Sequence, residues 1–288
     1  MSNFEHIFSP IKIGSIQIKN RIEVAPGRSR LLSINCDITR EEIENIKALA
    51  RGGPGIVTIG DTPINNEKAL RGGYCYNLGT DKSINGLNRI AETIQRYGAK
   101  ASIELSNHDL SSPADMTLEE IKMLIKSYAD AAYRCMLAGM DMIMVHGGHG
   151  QFISQFFSPR RNNRTDKYGG TVKNRARFVL ELLEAIREKV GDRLAIEYRI
   201  SAEEFTSGGL CFEEQLEFAK MIQDKIDLLH VSAGYLYEEH TLPRMFQPCY
   251  IERGINVHFA ELFKKELSIP VATVGSLTLE MAEQIIAS

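Results

Sequence analysis

The chain has 288 residues, which is long for one average domain but within the range that α/β barrels occupy as a single unit. Hydrophobic residues at 43% and charged residues at 25% give a globular balance and exclude a disordered or fibrous chain. A formal net charge of −3 gives no electrostatic footprint for nucleic acid or an anionic membrane, so the expected partner is a small molecule.

The N-terminus, MSNFEHIFSP, lacks an apolar signal core, and no run approaches the roughly 18 apolar residues of a membrane span, so a cytoplasmic protein is expected. IKIGSIQIKN then alternates apolar and polar residues around Gly14-Ser15, the pattern of a two-residue hairpin that could cap a barrel floor. From there, apolar runs of strand length alternate with longer segments of helical period, the signature of repeated βα units on a parallel sheet. The expected strands are residues 21–26 (RIEVAP), 55–61 (GIVTIGD), 100–105 (KASIEL), 140–147 (MDMIMVHG), 194–201 (LAIEYRIS), 228–234 (LLHVSAG) and 270–275 (PVATVG), each followed by a helical segment. That makes seven units. A closed (β/α)8 barrel needs eight, so a chain ending in IIAS is expected to be the N-terminal part of a longer protein, with residues 1–288 forming one barrel domain.

In such a barrel the chemistry sits at the C-terminal ends of the strands. The unusual residues collect there: Pro26 and Gly27 after the first strand, Gly60 and Asp61 at the second, Glu104 at the third, His146 and His149 at the fourth, Arg199 at the fifth, and Gly275 and Ser276 at the seventh. An arginine within an apolar strand is costly unless it faces an anion or another electron-rich acceptor, so Arg199 requires a partner. The HxxH pair could hold zinc only with a third ligand from a neighbouring strand end, where Glu104 and Asp61 are the candidates; a metal is not expected. Gly275-Ser276 before a helix suits a phosphate cradle, and the arginines of RRNNRTDKYGG read by default as a solvated loop. The five cysteines, Cys36, Cys75, Cys135, Cys211 and Cys249, are scattered without metal spacing, as reduced thiols would be.

The stretch HGGHGQFISQFFSPRRNNRTDKYGGTVKNRARF resembles the diagnostic segment of the old yellow enzyme family, flavin-dependent NAD(P)H oxidoreductases on a TIM barrel. FSPIKIGSIQIKNRIEVAP, YRISAEEFTSGGL and IPVATVGSLT resemble other parts of the same family, and the nearest subgroup is that of 2,4-dienoyl-CoA reductase-like and bile-acid or steroid enoate reductase-like enzymes. The resemblance implies FMN across the barrel mouth, contacted by Ala25, Pro26, Gly27, Gly60, Glu104 and Arg199, with Gly275 and Ser276 at its phosphate. It implies that His146 and His149 hold a substrate carbonyl while an activated alkene takes up hydride derived from NAD(P)H. A 4Fe-4S cluster and FAD in a C-terminal part, and a homo-oligomeric state, are further expectations of the same kind.

Three departures from the family pattern stand out. Glu104 replaces a glutamine that contacts the flavin pyrimidine, and a carboxylate cannot donate a hydrogen bond. Gln151 replaces the tyrosine that protonates the substrate, and an amide has no proton that titrates near neutrality. Only about a dozen residues, NHDLSSPADM, follow the third strand, where a longer substrate loop is usual. Two other readings remain: a trimethylamine-dehydrogenase-like amine oxidoreductase, which would want an aromatic bowl that a chain without tryptophan is poorly equipped to build, and a non-catalytic flavin-binding scaffold.

Overall fold

The computed structural model describes residues 4–107 and 112–288. A hairpin, β1 (Ile11–Ile13) and β2 (Ile16–Ile18), opens the chain. Then come β3 (Glu23–Val24), α1 (Arg40–Arg51), β4 (Ile56–Pro63), α2 (Asn66–Gly72), α3 (Ile84–Gln95), β5 (Lys100–Ser106), α4 (Leu118–Leu137) and β6 (Met142–His146). The second half holds α5 (Phe152–Phe157), α6 (Val172–Val190), β7 (Ala195–Ser201), α7 (Phe212–Ile222), β8 (Leu228–Ser232), α8 (Leu242–Met245), α9 (Val257–Glu266), β9 (Val271–Thr273) and α10 (Leu279–Ala287).

Strands β3 to β9 form one sheet in sequence order, and every pair is parallel. All seven expected strands are present. The first is shorter than the apolar pattern suggested, since only Glu23 and Val24 pair, with Ile56 and Val57. Strands β6 and β8 are buried at every residue because helices cover one face and the interior of the curled sheet covers the other, which is why they read as unbroken apolar runs. The outer core joins the sheet to the helices, with Phe156 stacked on Phe178 at 3.9 Å between ring centroids. Thr117 and Glu120 close a reciprocal capping box on α4, which satisfies amide groups that the first turn of a helix otherwise leaves open.

The hairpin lies where expected. Ile13 and Ile18 pack on Ile56, Met142, Ala195 and Leu228, the first residues of β4, β6, β7 and β8, so the hairpin closes the N-terminal end of the sheet interior. That end is also stapled electrostatically: Asp141 accepts from the Ala101 amide at 2.9 Å and Asp227 from the Ile196 amide at 2.8 Å. The opposite, C-terminal end is left for chemistry.

Candidate active site

Glu104, His146 and Arg199 lie at the C-terminal ends of three adjacent strands, with His146 directly opposite Arg199 in the β6–β7 register. Arg199 finds its partner across the interior, where its Nη1 donates to Glu104 Oε1 at 3.3 Å. Both side chains are nearly inaccessible, so the pair exists only because each charge answers the other. The Arg199 Nε remains a buried donor without an acceptor among the described residues.

The two histidines act in series. His146 Nε2 meets His149 Nδ1 at 2.9 Å, and His149 Nε2 meets Ser232 Oγ at 2.7 Å, while His146 Nδ1 lies 3.5 Å from Glu104 Oε1. Burial, together with the nearby Arg199 charge, pushes the His149 pKa well below its ordinary value; burial also lowers that of His146, against the opposing pull of Glu104. Both rings are therefore neutral at physiological pH, and each carries one N–H. A carboxylate at Glu104 favours the tautomer with the proton on His146 Nδ1, facing it. His146 Nε2 then accepts from His149 Nδ1–H, and His149 Nε2 accepts from the Ser232 hydroxyl.

The backbone around these rings is held against its preference. His149 has a φ of +60°, a left-handed conformation uncommon for a residue with a side chain. It is fixed by Ser201 Oγ, which accepts from the His149 amide at 2.7 Å, and by the Leu236 amide, which donates to the His149 carbonyl at 3.0 Å. The neighbouring Gly148 is required by space, since a Cβ there would fall 2.8 Å from the Ser201 amide nitrogen. Gln151, half-buried, immediately precedes α5, with its amide donating to the Gly148 carbonyl at 3.0 Å.

On the other side of the mouth, Ala25, Pro26 and Gly27 follow β3 directly. Gly60 of β4 sits between them and Glu104: a Cβ on it would stand 2.8 Å from the Glu104 Cβ and 3.5 Å from that of Pro26. The structure thus brings Pro26, Gly60, Glu104, Arg199, His146 and His149 to one end of the sheet. Gly275 and Ser276 follow β9 at that same end, both at positive φ, but α10 is capped by the Thr278 side chain, two residues later.

Of the arginines after the histidines, Arg160 and Arg161 are exposed, as the default reading of the loop expected, but Arg164 is not. Arg164 is nearly buried, donates to the Pro113 and Met116 carbonyls at 2.5 and 2.6 Å, and pairs with Asp166. Arg175 in the following helix likewise donates to the Phe157 and Gly170 carbonyls, both at 2.7 Å, and pairs with Glu214. These guanidinium groups satisfy carbonyls that an irregular segment leaves open. Part of the short loop after the third strand, residues 108–111, lies outside the described residues.

A second polar group escaped the sequence reading. Glu23 of β3, Glu197 of β7 and His230 of β8 meet inside the sheet, two residues below Arg199 on β7, with their ligand-type atoms within 4.8 Å of one another. His230 Nδ1 lies 2.8 Å from Glu197 Oε1, and Thr58 donates to Glu23 at 2.6 Å. Burial and mutual repulsion raise Glu23 to about 8, burial chiefly raises Glu197 to about 8, and burial lowers His230 to about 4. With both glutamates raised above neutrality and His230 lowered below it, all three groups favour their neutral forms at pH 7. The triad includes neither His146 nor His149.

Residues 6–117 and 106–288 match the NADH:flavin oxidoreductase / NADH oxidase family. The chain belongs to that family. The two matched segments overlap in the short stretch after β5 that the sequence reading singled out. An NADH oxidase of Thermoanaerobacter brockii is 35% identical over 313 residues, covering all of this chain and 48% of that protein. The solved 2-naphthoyl-CoA reductase in complex with 2-naphthoyl-CoA superposes with a TM-score of 0.87 at 26% identity, covering 99% of this chain and 49% of that one. The chain therefore spans about half the length of these two relatives. An old yellow enzyme homologue from Zymomonas mobilis shares the fold, with a TM-score of 0.77 at 21% identity, 98% of this chain being covered and 85% of that one. The fold is that of an old yellow enzyme TIM barrel, and the family agrees with the expected NADH-linked flavin oxidoreductase. No helix among the described residues is long and apolar enough to cross a membrane.

Proposed function

We propose that this chain is an FMN-dependent ene reductase, which reduces the C=C bond of an α,β-unsaturated carbonyl compound with hydride derived from NAD(P)H. The observation that carries the reading is the buried set at the sheet mouth: Arg199 paired with Glu104, and two neutral histidines beside them. Two features fit a flavin ring. Among the described residues the Arg199 Nε is a buried donor with no acceptor, and Gly60 removes the one side-chain atom that would crowd the approach between Pro26 and Glu104. Ala25, Pro26, Gly27, Gly60, Glu104 and Arg199 would hold the ring, and Gly275 and Ser276 the phosphate. FMN bound there supplies the atom that accepts hydride from the nicotinamide and passes it to the alkene.

The protein's part is positional and electrostatic. Arg199 fixes a positive charge where negative charge collects on reduction, and Glu104 offsets part of it. His149 is the donor to the substrate carbonyl, polarising the alkene so that its β-carbon becomes electrophilic. To donate, it must give up one of its two present partners, and exchanging Ser232 for the carbonyl leaves the His146 bond intact. The exchange also reverses the tautomer chain, so that His149 Nε2 carries the proton and His146 Nδ1 faces Glu104 without one, a change that a charged Glu104 opposes. Gln151 supplies no proton, so the α-carbon takes its proton from solvent. The location would be cytoplasmic, in keeping with five free cysteines.

The test is direct. Purified full-length protein should be yellow, release FMN on acid precipitation, and oxidise NADH or NADPH anaerobically with 2-cyclohexen-1-one, giving the saturated ketone. Protein that takes up no FMN, or that oxidises the nicotinamide only with oxygen as acceptor, would refute the reading.

A further inference from the structure

Two of the five cysteines meet beside the mouth. Cys36 lies in the loop between β3 and α1, and Cys75 in the loop after α2. Their sulfurs are 3.8 Å apart, and both thiols point at the same acceptor, the Ala69 carbonyl, at 3.4 and 3.6 Å. The remaining cysteines lack such a neighbour: Cys135 is buried in α4, while Cys211 and Cys249 are exposed.

The two loops are already docked by their backbones. The Tyr74 amide, next to Cys75, donates to the Ser33 carbonyl at 3.1 Å, and that same carbonyl accepts from the Cys36 amide at 3.0 Å. Gly73 lies against Ile34, where a Cβ would come within 3.1 Å of the Ile34 carbonyl oxygen. The pairing of the thiols is therefore built into the contact between two loops.

From this geometry we propose that Cys36 and Cys75 form a dithiol modification site that is oxidised to an intramolecular disulfide by low-molecular-weight disulfides such as oxidised glutathione. Cys36 is the point of entry because it is partly exposed, whereas Cys75 is buried. The Cys36 thiolate attacks one sulfur of the oxidised glutathione, forming a mixed disulfide and expelling one glutathione thiolate, which takes up a proton. Cys75 then loses its proton and attacks the Cys36 sulfur, expelling the second glutathione. Two protein thiols are oxidised, one glutathione disulfide is reduced to two thiols, and no other oxidant is needed. The order of events matters to Cys75. Its thiol is pushed up to about 12, first by burial and next by the neighbouring Cys36, and capping Cys36 as a mixed disulfide removes that second contribution.

The bridge would tie the segment that follows Pro26 and Gly27 to the one that follows β4. These segments border the ion pair of Arg28 with Asp61, at 2.7 Å. The site is thus placed to stiffen one wall of the mouth, and its chemistry is independent of what binds there.

The experiment uses the purified full chain with Cys211→Ser and Cys249→Ser, which removes the exposed thiols, incubated with oxidised glutathione and then quenched with acid. Tryptic cleavage places Cys36 in the peptide 31–40 and Cys75 in the peptide 72–82. The expected product is these two peptides joined by a disulfide in most molecules, released by dithiothreitol, with intact protein lighter by two hydrogens. Cys36→Ser in the same background should abolish the cross-link and leave Cys75 unmodified. A stable glutathione adduct on Cys36 beside a free Cys75 would overturn the proposal. So would protein that remains fully reduced, or a cross-link that engages Cys135.

Discussion

The buried triad of Glu23, Glu197 and His230 makes stability depend on pH in a direction unusual for carboxylates. Each glutamate has a folded pKa near 8 against an unfolded value near 4.5, so the folded state binds more protons between those limits. Stability from this source is fully present below pH 4.5 and is lost as pH rises through 8. His230 runs the other way: its folded pKa of about 4 means that it adds stability above its unfolded value of 6.5 and loses it as pH falls through 4. The clean window is therefore above pH 6.5, where the histidine contributes only a few tenths of a kcal/mol of further change. Between pH 6.5 and 9 one independent glutamate would lose about 2 kcal/mol; two would lose about 4, and because the pair shares protons the expected loss is between about 2 and 4 kcal/mol. For a chain of this size that corresponds to a fall of roughly 3 to 7 °C in unfolding temperature. The assay is thermal unfolding across buffers from pH 6.5 to 9, wild type against Glu197→Gln. The variant replaces one titrating group by an amide and removes one cause of the raised Glu23 pKa, so its slope should be smaller, whatever its stability at a single pH. A wild-type midpoint that is flat or rising over this range, or an equal fall in Glu197→Gln, would show that the triad is not held by protons.

Glu104→Gln should raise the flavin midpoint potential, because it removes a negative charge beside a ring that becomes anionic on reduction. At an effective dielectric of about 20 and a separation of about 6 Å, the change is about 3 kcal/mol, or about 60 mV for a two-electron couple; a potential equal to or below the parent's, with FMN still bound, would contradict the charged carboxylate. His149→Ala should slow alkene reduction by about 10² to 10³ while sparing flavin reduction, and stopped-flow traces in which both half-reactions slow equally would dismiss the donor role. Ser232→Ala frees His149 Nε2 from its competing partner. The enone KM should fall by a factor of about 2 to 10 with kcat nearly constant, and an increased KM would mean that Ser232 orients the ring instead.

The fold was legible in the sequence because burial on both faces of a parallel sheet leaves its mark residue by residue. MIMVH and the apolar centre of GIVTIGD could hardly be anything but strands. Polar meetings inside the sheet were less legible, since Glu23 and Glu197 are far apart in the chain and come together only through register. Yet a signal was present. IEV, IEY and LHV each place one ionisable residue between two apolar neighbours in a strand, the same anomaly that made Arg199 stand out as the fifth residue of AIEYRIS. Glu23, Glu197 and His230, each set in an apolar strand, need partners for the same reason that Arg199 does. The arginine loop shows the opposite failure. Nothing periodic distinguishes an arginine that faces water from one that caps the carbonyls of an irregular segment, so Arg164 could not be read as buried from its neighbours alone.

The histidine pair carries the most consequence for mechanism. Spacing alone presents His146 and His149 as two equivalent donors, and a resemblance to a carbonyl-binding pair encourages that view. The backbone says otherwise: with His149 at φ +60°, its ring turns back onto His146 and reaches Ser232 on β8, so the two imidazoles are joined end to end. In such an arrangement only one ring can meet the substrate without breaking the link, and the charge on Glu104, felt through His146 Nδ1, selects which tautomer that ring presents. Removing Glu104's charge should therefore alter the substrate affinity of a histidine it does not touch, as well as the flavin potential, whereas two parallel donors would leave these effects unconnected.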